Sequence, residues 1–368
     1  MFHGVRFVFA AIVKAGGMFF WFLVIAKCSA SGNEDVVVDI ALGGFAGLLL
    51  RLGVDQGLIS GEISWGKDLR RVLLSVSIFQ VPVLIVFVLF GVSHLSVVMA
   101  FAIPHVGYLS TYCKVRGMPV SACLMEVVPV YAITAVLYLA EPTSFEVLVV
   151  QVVGAIGGFV VLFVWSFSRL QGNSGFVGVL RLRRFLVNFY DASIQWGLIT
   201  LLSFLPSTDV TSVAIVQRVL ALQVNTMNVI NTFVLTRVRA AYQDHGRLNL
   251  SMSRKLRLAS VLVGLFAVVV LVYFGGEVGF AGLAVLALMI GLMACTGPVL
   301  FLSLCKYGSN YVFRFQFGEM LGYLFVLWVA TFVEVDNIGI YLVVSIMAAS
   351  RLIVMFHSRV FSGRVSDC

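Results

Sequence analysis

Lys14, Arg51, Asp55, Glu126, Asp191, Arg218 and Glu319 stand inside long apolar runs. An ionised side chain at the middle of a membrane helix costs about 2.5–3.5 kcal/mol unless it is paired or hydrated. The chemistry of this chain is therefore concentrated at these positions. The cations can hold an anion, while Asp55, Asp191, Glu126 and Glu319 can serve as counter-ions or exchange a proton or sodium ion. Arg51 and Asp55, four apart, share a helix face and are expected to pair. Lys14 and Asp191 stand at nearly matching depths, each in the opening run of its half, and are expected to approach each other. Arg218 has no acidic residue three or four positions away, which predicts a wet, open site around it.

Arg218 belongs to the stretch with the widest polar stripe, residues 209–239. At about 100° per residue, Arg218, Asn225, Asn228, Thr232 and Thr236 fall within one side of a helix. The opposite side is apolar apart from Gln223. A polar stripe cannot face lipid cheaply, so it should face other helices or a wet cavity. It either holds the bundle together by hydrogen bonds or lines a transport path.

Soluble-enzyme motifs are missing. The sequence has no glycine-rich phosphate loop, no histidine pair at metal spacing, no Ser–His–Asp set and no CxxC among its six cysteines. The reading is accordingly a non-enzyme with no catalytic residue, no metal site and no cofactor.

The elements that must position these residues are membrane helices. With 61% hydrophobic and 11% charged residues, the chain reads as a polytopic membrane protein. Apolar runs long enough to span fall at residues 6–26, 36–59, 72–90, 95–112, 119–140 and 145–167. A second set falls at 185–205, 210–235, 258–274, 278–304, 315–332 and 338–356. The cations between them cluster in alternate connections, among them Lys67, Arg70 and Arg71; Lys114 and Arg116; Arg181, Arg183 and Arg184; and Arg237 to Arg257. The intervening connections carry Lys27 as their only cation, beside Glu34, Asp35, Glu141, Asp209, Glu277, Glu334 and Asp336. Positive-inside places both termini and the basic loops in the cytoplasm, which requires an even number of spans. The net charge of +8 is thus a topology signal, not a nucleic-acid footprint. The first run is interrupted by Lys14 and is read as an uncleaved helix. The basic stretches 168–184 and 237–257 are expected to lie against anionic lipid headgroups.

The expected architecture is an all-α membrane protein with about twelve transmembrane helices. Residues 1–167 form one six-helix bundle, 168–184 a basic cytoplasmic linker, and 185–368 a second six-helix bundle with a short tail. YCKVRGMPVSACLMEVVPVY in the first half and LCKYGSNYVFRFQFGEMLGYL in the second both give Cys-Lys, a glycine and an intramembrane glutamate. An even span number per half makes the repeats parallel, related by a pseudo-twofold axis along the membrane normal.

These junctions, with GGFAGLLLRLGVDQGLIS, KDLRRVLLS and VAIVQRVLALQVNTMNVINTFVLTRVRAAYQDHGRL, resemble the O-antigen and polysaccharide flippases. That family belongs to the multidrug, oligosaccharidyl-lipid and polysaccharide exporter superfamily. Thr236 stands where many relatives have proline. The resemblance implies a multi-pass protein of the bacterial inner membrane. It would translocate undecaprenyl-diphosphate-linked oligosaccharide by alternating access, with proton or sodium coupling. Its partners would be that substrate, membrane lipids and the polysaccharide polymerase machinery. Lys14, Arg51 and Arg218 would then be successive stations for a diphosphate, and Gln195, Gln217, Asn225 and Asn228 would meet sugar hydroxyls. Two other readings stand beside it: a drug/cation antiporter of the same superfamily, favouring an acidic and aromatic cavity, and a membrane glycosyltransferase or polymerase. The latter needs acidic residues in large outer loops, and the outer connections here are short.

Overall fold

The computed structural model describes residues 2–60, 65–139, 145–167, 210–245, 250–274 and 279–307. It also describes 185–186, 188–189, 192, 196–197, 200, 317, 321 and 328. The described elements are all helical: α1 (Phe2–Ala30), α2 (Glu34–Leu49), α3 (Val54–Ser60), α4 (Trp65–Leu89), α5 (His94–Val115), α6 (Pro119–Leu139), α7 (Phe145–Phe167), α8 (Val210–His245), α9 (Leu250–Phe274) and α10 (Gly279–Tyr307). The apolar runs at 315–332 and 338–356, and most of 185–205, lie outside the described residues.

Among the described residues, four helical stretches are long and apolar enough to cross a membrane: Phe9–Ala30, His94–Val115, Pro119–Leu139 and Val213–Leu235. Two shorter apolar helical stretches, Val76–Leu89 and Val147–Leu162, accompany them. The outward surfaces match this character. Phe79, Val81, Ile85 and Val88 of α4, and Leu258, Leu262, Leu265, Phe266 and Val269 of α9, are exposed. Contiguous apolar surface of this kind on a soluble protein would drive aggregation; in hydrocarbon it costs nothing.

The run at 36–59 is expected as one helix, but the chain breaks between α2 and α3. Leu52 and Gly53 both take positive φ, 53° and 67°. For leucine that geometry is strained by about 1–3 kcal/mol. It is held in place by Tyr108 of α5, whose hydroxyl donates to the Arg51 carbonyl at 3.0 Å. The break ends the helical ladder just where Arg51 and Asp55 stand.

Burial of apolar surface does not drive helices together in lipid, so close contact and polar glue must. Gly43 and Gly47 of α2 supply the first: a Cβ at Gly43 would sit 2.6 Å from the Ser96 carbonyl oxygen and 2.6 Å from Met99 Cβ of α5. The second is clearest at Pro104, which removes the N–H that would bond the Ala100 carbonyl four residues back. Gln80 of α4 donates to Ala100 O (3.2 Å) and Phe101 O (3.0 Å). Among the later helices, Gln223 of α8 donates to Ile290 O of α10 at 2.7 Å, and Ser260 of α9 donates to Ala294 O.

α1 packs against α6 and α8, which joins α1–α7 to the group formed by α8, α9 and α10. The central apolar cluster includes Trp21, Ile40, Met99, Ile133, Trp196, Leu220 and Met289. α8 runs to His245, about ten residues past its apolar run. Of the stretch expected on the membrane surface, the part through His245 instead continues α8. Val238 there is buried with Leu256 of α9 and Leu302 of α10. The linker 168–184 lies outside the described residues.

Candidate functional site

A cavity of about 210 Å³ lies where α1, α2, α3, α5, α6 and α8 converge, with Asn188 and Trp196 also on its wall. Its lining contains Lys14, Arg51, Asp55, Glu126, Arg218, Asn225 and Asn228, together with Lys114, Thr111 and Trp21. Residues spread over more than two hundred positions of sequence are thus brought to one polar volume.

The densest cluster is built on Glu126 of α6. Its Oε2 accepts from Lys14 of α1 and its Oε1 from Lys114 of α5. Ser110 donates to the same Oε1 at 2.7 Å. The α5–α6 connection explains the meeting. Gly117, at φ 73°, reverses the chain within Arg116–Met118, so the last turn of α5 faces the first turns of α6. Lys114 and Ser110, four apart on α5, then present to the same carboxylate. Two ammonium groups share one carboxylate, so the cluster carries a formal surplus of one positive charge. Partial burial makes that surplus expensive unless an anion or water completes it.

The Arg51–Asp55 pair forms as the spacing predicts, Nη1 to Oδ2 at 2.9 Å, across the α2–α3 break. Arg51 also donates through Nη2 to Ile103 O at 3.3 Å. Gly107 makes room for this: a Cβ there would lie 2.2 Å from the guanidinium carbon. Arg51 Nε and Asp55 Oδ1 are buried with no hydrogen-bond partner among the described residues. Beside them, Asn188 donates to the carbonyl of Leu48 near the end of α2.

Arg218 reaches the cavity wall from beneath an aromatic cover. It is 3% exposed, and its guanidinium carbon lies 3.7 Å from the Trp196 ring centroid and 5.2 Å from that of Trp21. The two indoles meet edge to face at 5.1 Å. Aromatic faces offset part of the cost of removing a cation from water, about 2 kcal/mol or more when the contact is desolvated. The aromatic cover of Arg218 was not legible, because the helix pattern of α8 does not reveal which aromatic groups other elements deliver.

Along α8 the polar stripe divides. Asn225 and Asn228 reach the cavity with Arg218. Thr232 turns its hydroxyl back to the Asn228 carbonyl at 2.6 Å. Gln217 is fully buried and is not part of the cavity wall. Gln195, Asp191 and Glu319 lie outside the described residues, and the expected Lys14–Asp191 approach lies there with them. Among the described residues, the carboxylate that meets Lys14 is Glu126.

Lys114 was legible only as a loop cation, because Cys-Lys stands at the end of an apolar run. The available signal was the pairing of Lys114 with Glu126 across a tight Gly117 turn. Trp21 and Trp196 carried no signal within a chain that has 31 phenylalanines and 11 tyrosines. Among the described residues, no group of three His, Cys, Asp or Glu is placed to hold a metal. No family model, curated protein or solved structure matches the chain.

Proposed function

We propose that this protein is a flippase for undecaprenyl-diphosphate-linked oligosaccharide, working by alternating access in the bacterial inner membrane. The observation that carries the reading is the Glu126 cluster: one carboxylate shared by Lys14 and Lys114, on a cavity inside a bundle of membrane-type helices. A surplus cation there favours an anionic ligand, and a diphosphate provides oxygens for both ammonium groups once Glu126 lets go. Arg51 and Arg218 extend the cationic lining, while Asn225 and Asn228 offer donors and acceptors for sugar hydroxyls. Glu126 and Asp55 act as counter-ions that offset part of the cationic charge when no substrate is present. They are also the described groups through which proton or sodium coupling would run.

Trp21 and Trp196 on the wall favour a second reading, an antiporter for organic cations. Against it, the protein's own Arg218 covers both indoles, and both carboxylates are engaged by protein cations. Deleting the gene separates the two. The flippase reading expects the lipid-linked repeat unit to accumulate in the inner membrane while surface polysaccharide is lost. Unchanged polysaccharide with raised sensitivity to cationic drugs would favour the antiporter.

A further inference from the structure

Behind the α5–α6 hairpin, on the other side from the charged cavity, lies a second cavity of about 570 Å³. Leu109, Tyr112 and Cys113 of α5, Met125 and Val128 of α6 and Phe159 of α7 contribute to its wall, and no charged side chain does. Its size falls within the roughly 300–1,000 Å³ of ligand sites. It opens on the outside of the bundle, where Phe159 is 67% exposed.

The two cavities share no residue, yet their linings are neighbours in sequence. Tyr112 and Cys113 face the apolar groove while Thr111 and Lys114 face the charged cavity; Met125 and Val128 face the groove while Glu126 and Pro129 face the cavity. A cation marks the groove's edge. The exposed Arg116 lies over the Tyr112 ring, 5.6 Å from its centroid. A guanidinium stacked on a ring keeps its edge N–H groups free to grip phosphate.

We propose that this groove seats the polyprenyl chain of the lipid-linked substrate, with Arg116 and then Lys114 leading its diphosphate towards the charged cavity. The assignment rests on the flippase reading above. The groove alone would suit any hydrocarbon chain. The two cations choose the occupant, because they stand two residues apart, one over the groove's tyrosine and one inside the charged cavity. One molecule with a long apolar tail and a diphosphate head satisfies both volumes.

The test uses the full chain in nanodiscs of phosphatidylethanolamine and phosphatidylglycerol, with undecaprenyl diphosphate and the short geranyl diphosphate as probes. Ala155, exposed on α7, lines the groove, so Ala155→Trp fills it from the lipid side. The substitution should weaken undecaprenyl diphosphate by about tenfold or more and leave geranyl diphosphate unchanged. Ser121→Trp, from α6, should repeat the result. Lys114→Met should weaken both probes. If both tryptophan variants bind undecaprenyl diphosphate normally while Lys114→Met does not, the groove assignment is wrong and the flippase reading stands. Loss of co-purified phosphatidylglycerol without loss of undecaprenyl diphosphate would make the groove a structural lipid site and overturn the proposal. If the native chain binds neither diphosphate, the flippase reading falls and takes this assignment with it.

Discussion

Glu126 is held by two lysines that arrive from different helices, so removing the acid and removing one base have unequal consequences. Without its carboxylate, Lys14 and Lys114 would face each other as like charges in a partly buried site. Glu126→Ala is expected to destabilise by about 3–5 kcal/mol, read as lower abundance and an earlier melt in detergent. Lys14→Met leaves Glu126 bonded to Lys114 and Ser110, so the fold should persist while transport falls. Combining Glu126→Leu with Lys14→Met and Lys114→Met should restore abundance without restoring transport. If transport returned as well, the cluster would be structural only. Arg218 gives a second comparison. Arg218→Lys keeps the charge but loses the planar stack on Trp196, so export should drop in part. Arg218→Gln should abolish export at normal abundance. Disappearance of that protein from the membrane would mark Arg218 as a structural cation.

At the scale of elements, the proline in α5 sets a specific demand. Gln80 supplies the donors for carbonyls near Pro104, so Gln80→Leu should leave a buried acceptor unpaired and cost about 1–3 kcal/mol, seen as a lower melting temperature. Pro104→Ala in the same background should recover part of that loss, because the helix would then bond its own Ala100 carbonyl. If Gln80→Leu melts like the native chain, the side chain is not needed there. Apolar runs found α1, α4 to α7 and α8 to α10 because membrane helices declare themselves by composition. It could not find the α2–α3 break. Leu52 is an ordinary membrane residue, and the Tyr108 hydroxyl that bonds the adjacent Arg51 carbonyl comes from more than fifty positions away. The Arg51–Asp55 pair was legible because its spacing is local. The Lys14–Glu126 contact was not, since it joins α1 to α6 through tertiary packing that one sequence does not disclose.

Among the described residues, helices with apolar outer faces enclose a polar volume, and the alternation of basic connections predicts which side of the membrane each end faces. Reporter fusions after Phe167 and after Arg257 should behave as cytoplasmic, and fusions at Ser144 and Val335 as exported. Swapped signals at either pair would overturn the expectation of twelve spans. Whether the cavity is a route for lipid-linked glycan is a question of transport. The direct measurement places the purified protein in liposomes loaded with undecaprenyl-diphosphate oligosaccharide in both leaflets. Oxidation of outer-leaflet sugars by an impermeant reagent then reports how much glycan crosses from inside. The native protein should bring the protected half of the glycan to the outside, and the Lys14→Met and Arg218→Gln proteins, folded and present at equal amounts, should not. A native protein that leaves half of the glycan protected, as protein-free liposomes do, would contradict the account.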